Sequence, residues 1–161
     1  MANTQSMCTS FLGELMTATH NFGTAPIRAA STADTFKAAL YFASATVNAS
    51  TTAYSVTGEV TNSSGSGYTA GGTTVTNGTA PTATNSSSTA GTAYWTPTAS
   101  FSWSALTVTT AFDAVLIYNS TQSNKAVSVH TFGSQTITAG TFTLTMPSNT
   151  TSTALLRLAT T

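Results

Sequence analysis

Apolar and polar positions are unevenly spread along this chain, and the densest apolar run is AFDAVLIY, Ala111 to Tyr118. It is rich in β-branched and aromatic residues and too short for an ordinary helix, which predicts a strand covered on both faces. Asn119 to Asn124 are turn formers or neutral polars. Beyond them Val127 and Val129 alternate with Ser128 and His130, until Phe132 and Gly133 close the run. Strand, polar turn and alternating strand predict a hairpin with a core first strand and a second strand wet on one face.

The other elements hang on that hairpin. Met1 to Ser6 reads as a loose arm. From Met7 to His20, the residues Cys8, Phe11, Leu12, Leu15, Met16 and Thr19 recur at three- and four-residue spacing. That spacing predicts one amphipathic helix, capped by Ser6 and stopped by Asn21, Gly23 and Pro26. Thr35 to Phe42 predicts a strand with Phe36, Ala38, Leu40 and Phe42 on one face, and Ala53 to Val60 a second.

Thr61 to Thr92 is almost wholly Ser, Thr, Gly, Asn and Ala, with Tyr68 and Val75 as anchors. Short strands near Thr73 to Thr76 and a turn at Asn77-Gly78 are expected inside it. So long a loop in a compact domain is usually functional or mobile. Phe101, Trp103 and Ala105 predict a half-buried strand. Gln135 to Thr138 and Thr141 to Met146 predict a meander turning at Ala139-Gly140, and Ala154 to Ala159 a closing strand. The sum is an all-β fold, β-sandwich or jelly-roll-like, with an N-terminal arm and helix over 1–34 and a β domain over 35–161.

Composition sharpens this. At 161 residues the chain fits one domain. Charged residues are 5% of it, but 40% is hydrophobic, so a folded, Thr-covered β surface is expected rather than disorder. Net charge is zero with no basic patch, so neither nucleic acid nor an anionic membrane is an expected partner. Near-zero charge also removes the self-repulsion that keeps proteins apart, which favours a homo-oligomer. Cys8 is alone, and no intrachain disulfide can form. No apolar run approaches the roughly 18 residues of a membrane span. The N-terminus lacks the basic and apolar regions of a signal peptide.

Chemistry-bearing residues are few. Asp113, His130 and a serine could make a triad, yet no Gly-x-Ser-x-Gly elbow is present. The plain readings are a hydrogen-bonded strand start for Asp113, a solvent-facing strand position for His130 and a helix-dipole partner for His20. No spacing matches a zinc site or calcium loop. Gly65, Gly67, Gly71 and Gly72 are followed by no Gly-Lys-Ser/Thr, which speaks against a phosphate cradle. No catalytic residue, metal or cofactor is therefore expected. Glu59, ahead of the glycine-rich loop, could pair with a nearby Lys or Arg, and an exposed pair of that kind would be worth little. Tyr68, Tyr94, Trp95 and Trp103 are read as packing, with a sugar-stacking surface as the alternative.

Four segments in order, TFKAALYFASATVNASTTAYSVTGEV (Thr35 to Val60), GYTAGG (Gly67 to Gly72), FDAVLIYNSTQSNKAVSVHTFG (Phe112 to Gly133) and TFTLTMP (Thr141 to Pro147), resemble a group of small tailed-bacteriophage virion proteins. The leading helix ending in His20-Asn21-Phe22 fits that pattern; the long Ser/Thr stretch between Val75 and Tyr94 departs from it. The resemblance implies a noncatalytic virion structural protein, a capsid decoration or cement protein bound to the major capsid protein as a homotrimer. It would sit on the capsid surface after assembly in the host cytoplasm. Expected capsid or subunit contacts are Phe11, Leu12, Leu15, Met16, Tyr68, Tyr94 and Trp95. The alternative is a neck, tail or fibre component that binds host glycans.

Overall fold

The computed structural model describes residues 3–16, 19–22, 33–60, 66–84 and 91–159. Along the chain it places β1 (Ser6–Met7), α1 (Thr9–Met16), β2 (Phe36–Phe42), β3 (Thr73–Thr74), β4 (Thr82–Thr84), β5 (Thr92–Trp95), β6 (Phe101–Asn119), β7 (Lys125–Leu144) and β8 (Leu156–Ala159). The fold is all-β, in two antiparallel sheets. One has the order β1-β7-β6-β2-β3 and the other β4-β5-β8.

The apolar run Phe112 to Tyr118 lies in β6, between β7 on one edge and β2 on the other. Phe112, Val115, Leu116 and Ile117 are fully buried, each contributing about 1.5–3 kcal/mol by leaving water. Asn119 turns the chain: its Oδ1 accepts the N–H groups of Thr121 (3.1 Å) and Gln122 (3.2 Å). Ser123 and Asn124 then take positive φ, a conformation Asn tolerates better than most residues. The hairpin read from the sequence is thus the spine of the larger sheet, but its second strand is buried on both faces over Ala126, Val127, Ser128 and Val129 rather than wet on one.

Three strand expectations are corrected. β6 is one strand of 19 residues and β7 one of 20, so Phe101–Ala105 and the expected meander belong to the same long hairpin. Ala139, with φ 49, makes a bulge rather than a turn, shifting the register between Leu106↔Gly140 and Val108↔Ile137. An Ala-Gly pair serves either purpose; the continuous partner strand decides it. Ala53 to Val60 forms no strand and meets the sheet through the isolated bridges Tyr41↔Glu59 and Ala53↔Lys125, through single hydrogen bonds such as Val60 N–H to the Leu40 carbonyl, and through Tyr54 stacked on Tyr118. The chain turns sharply at Gly58, where φ is +79 and a Cβ would stand 2.7 Å from that of Ala45. Asn77-Gly78 is not a turn either; the Asn77 side chain instead ties Trp95 to Phe22.

One core joins both sheets and the N-terminal segment. Phe22 stacks on Phe36 of β2 at 4.3 Å and meets Trp95 of β5 edge-on at 4.8 Å. Phe11 and Cys8 are buried in the same cluster.

Candidate functional site

Period-two alternation on the small sheet puts Ala93 and Trp95 of β5 on one face, in register with Leu158 and Leu156 of β8. Trp95 and Leu156 are buried in the core, whereas Leu158 is 42% exposed. Across from them stand Met7, Phe11 and Leu15 of the N-terminal segment. Between the two lies an open apolar groove of about 100 Å³, completed by Phe22, Pro81 and Tyr94.

Of the contact residues expected from sequence, Phe11, Leu15, Tyr94 and Trp95 meet at this groove. The side chains of Leu12 and Met16 lie outside the described residues. Tyr68 is elsewhere: it is buried, its hydroxyl donating to Glu59 Oε1 (2.7 Å) and accepting from the Leu40 N–H (3.0 Å). A lone aromatic in a polar loop looks like a surface anchor until its hydroxyl finds a buried partner.

That partner corrects a second expectation. Glu59 is buried, not in an exposed ion pair. It accepts from the hydroxyls of Tyr54 (2.6 Å) and Tyr68 and from the Gly71 N–H (2.7 Å). Burial, reinforced by the Glu59 charge, pushes both tyrosine hydroxyls up, so they stay protonated donors. Tyr118 returns a hydrogen bond to the Gly71 carbonyl at 2.8 Å. The carboxylate thus fastens the 66–72 loop onto β2 and β6.

His20 is also not a helix-dipole partner, since it lies outside α1 and its ring is engaged by side chains. Its ring is buried, with Nε2 2.6 Å from Glu14 Oε2 and Nδ1 3.1 Å from Asn119 Nδ2. Lys125 Nζ pairs with the other Glu14 oxygen at 2.5 Å. Asp34 Oδ2 accepts from Asn119 Nδ2 and from the Asn21 N–H, both at 2.8 Å. Burial lowers the His20 pKa against the raising influence of Glu14, and hydrogen bonds from Lys125 and His20 hold that of Glu14 down against its own desolvation. No sequence spacing reveals this network, because its members come from α1, the segment before β2 and the hairpin turn.

Asp113 accepts from the Asn3 amide at 2.5 Å. His130 is half-buried rather than solvent-facing, with Nε2 2.9 Å from Ser128 Oγ. The pair borders a groove of about 540 Å³ that also takes in Arg157. Burial holds His130 down at about 4, which makes it a weak base at neutral pH. Among the described residues no carboxylate is hydrogen-bonded to its other nitrogen, so the orienting third member of a triad is missing. Cys8 is buried, and its thiol is pushed up to about 11 by burial and then by the Glu14 charge. No cluster of three metal-ligating side chains occurs among the described residues.

No protein-family model, curated protein or solved structure matches the chain.

Proposed function

We propose that this protein is a noncatalytic virion structural component of a tailed phage, a decoration or cement protein that binds the outer capsid shell and bridges capsid subunits. In this reading the two sheets are the layers of a jelly-roll-like sandwich, and the N-terminal segment is an amphipathic helix laid across it. The copies assemble as a trimer on the shell. The observation that carries the reading is the open apolar groove between the N-terminal segment and the small sheet. It gathers most of the described contact residues in one place, and Leu158 extends its apolar wall into solvent. Its occupant would be an apolar side chain of the major capsid protein, stabilised by burial at about 25 cal/mol per Å².

The neck, tail or fibre alternative is less well supplied. Tyr68, Trp95 and Trp103 are buried, which leaves Tyr94 as the half-exposed ring of that set. One ring is a meagre platform for stacking a sugar.

The test is binding of purified protein to undecorated shells. Removing the whole N-terminal segment would also strip Phe11, His20 and Phe22 from the core, so point changes are the better probe. Leu158→Asp at the exposed rim should abolish binding while leaving the fold intact. Full binding by that variant would reject the groove as the docking site.

A further inference from the structure

We propose that Lys125, Glu14, His20, Asn119 and Asp34 form an acid-operated latch that frees the N-terminal wall of the groove when His20 takes up a second proton. The consequence for docking rests on the reading of the groove given above; the latch itself does not.

Asn119 is held in one orientation. Its Oδ1 accepts from two backbone N–H groups in the hairpin turn, and one amide hydrogen goes to Asp34 Oδ2. The second is left for His20 Nδ1 at 3.1 Å. His20 Nδ1 must then be the acceptor, and Nε2 carries the hydrogen donated to Glu14. A proton arriving at Nδ1 would set N–H against N–H. Flipping Asn119 offers no escape, because its carbonyl would then face the Asp34 carboxylate and its NH₂ group the turn's own N–H groups. The imidazolium must leave its place.

Three described charged groups face the ring from the elements around it. Glu14 on α1 and Asp34 ahead of β2 favour the charged ring; Lys125 on β7 opposes it. Cys8, whose thiol feels the Glu14 charge, is neutral. Among the described residues the ring's other neighbours are aromatic, Phe11 at 4.9 Å and Phe22 and Phe36 each at 6.3 Å. Asp34 is already engaged, Oδ2 by Asn119 and the Asn21 N–H and Oδ1 by Gln122, and among the described residues no other acceptor faces the displaced imidazolium, so solvent is its destination. Phe22, two residues on, lines the groove, and Phe11, which packs on the ring, forms its wall. Beyond the latch the segment is held by the two-position pairing of β1 with β7, by the Cys8 N–H on the Val127 carbonyl and by the burial of Phe11 and Phe22, so loss of the latch weakens its hold without removing these restraints.

The experiment is hydrogen exchange on the full chain across a pH series, corrected for intrinsic exchange, alongside an NMR titration of the His20 ring. Protection of residues 8–16 and 19–22 should fall about tenfold or more at the midpoint of His20, while the β6–β7 hairpin keeps its protection. Protection that survives the titration, or loss in the hairpin at the same pH, would overturn the latch. Should His20→Gln fail to fold, Lys125→Gln gives a second reading. Without the opposing ammonium, opening should move to higher pH, and an unmoved midpoint would also overturn the proposal. Neither readout involves a capsid, so a failed latch and a failed docking site are told apart.

Discussion

Tyr68 reaches Glu59 with its hydroxyl 2.7 Å from Oε1, joining a residue of the glycine-rich loop to a carboxylate beneath it. Three donors converge on that carboxylate, so Glu59→Gln should be costly, since the amide must present an N–H to at least one of them. Loss of about 1–3 kcal/mol is expected from one frustrated buried donor. Urea denaturation measures it; stability equal to that of the parent would mean that the carboxylate is not what fastens the loop.

Two adjacent glycines should respond differently to alanine. A Cβ on Gly72 would stand 1.9 Å from the Ala38 carbonyl oxygen, whereas on Gly71 the nearest atom is the Tyr118 hydroxyl at 3.4 Å. Both have positive φ, so each substitution carries about 1 kcal/mol of backbone strain. Gly72→Ala adds a collision with the backbone of β2 and should be clearly worse in thermal denaturation. Equal melting temperatures would contradict the close approach of the loop to that strand.

The two tryptophans also separate. Trp95 Nε1 donates to Asn77 Oδ1 at 2.9 Å, while Trp103 Nε1 is buried with no hydrogen-bond partner among the described residues. Trp95→Phe loses a hydrogen bond and orphans an acceptor; Trp103→Phe removes a donor that was already unpaired. The first should be the more destabilising by about 1 kcal/mol, a difference equilibrium unfolding resolves. The reverse order would count against the Asn77 contact.

Acid should destabilise the fold in a defined direction. His130 is held at about 4, and His20 below its ordinary value, both chiefly by burial. A depressed folded-state pKa means that the unfolded chain binds the proton more readily. The stabilising contribution is therefore complete above the ordinary histidine value near 6.5 and is lost as pH falls toward 4. Glu14, also lowered, extends the loss below the ordinary carboxylate range. Melting temperature should fall through this window, and His130→Gln should flatten part of the decline. A profile level from pH 7 to 4 would contradict the burial of both rings.

What was legible in the sequence follows its periodicity. Phe112 to Tyr118 reads as a doubly covered strand because every position is apolar or aromatic save Asp113, and it lies at the centre of the larger sheet. Phe11 and Leu15 were legible as an apolar helical stripe and Tyr94 and Trp95 as bulky aromatics, their role as contacts coming from the resemblance, and the fold brings all four to one groove. Polar partners are another matter. His20 read as a helix-dipole partner and Asp34 drew no reading, because the residue that joins them, Asn119, lies 99 and 85 residues further on. Bulges were equally hidden: Ala139-Gly140 has turn chemistry, and only the pairing with β6 makes it a kink in a continuous strand.

The central claim, that this protein decorates the capsid shell, is tested most directly by its copy number relative to the major capsid protein in purified virions, counted by quantitative mass spectrometry. The account predicts a ratio near one copy per capsid subunit. A few copies per particle would contradict it and point to the neck, tail or fibres, and absence from the virion would end the virion reading.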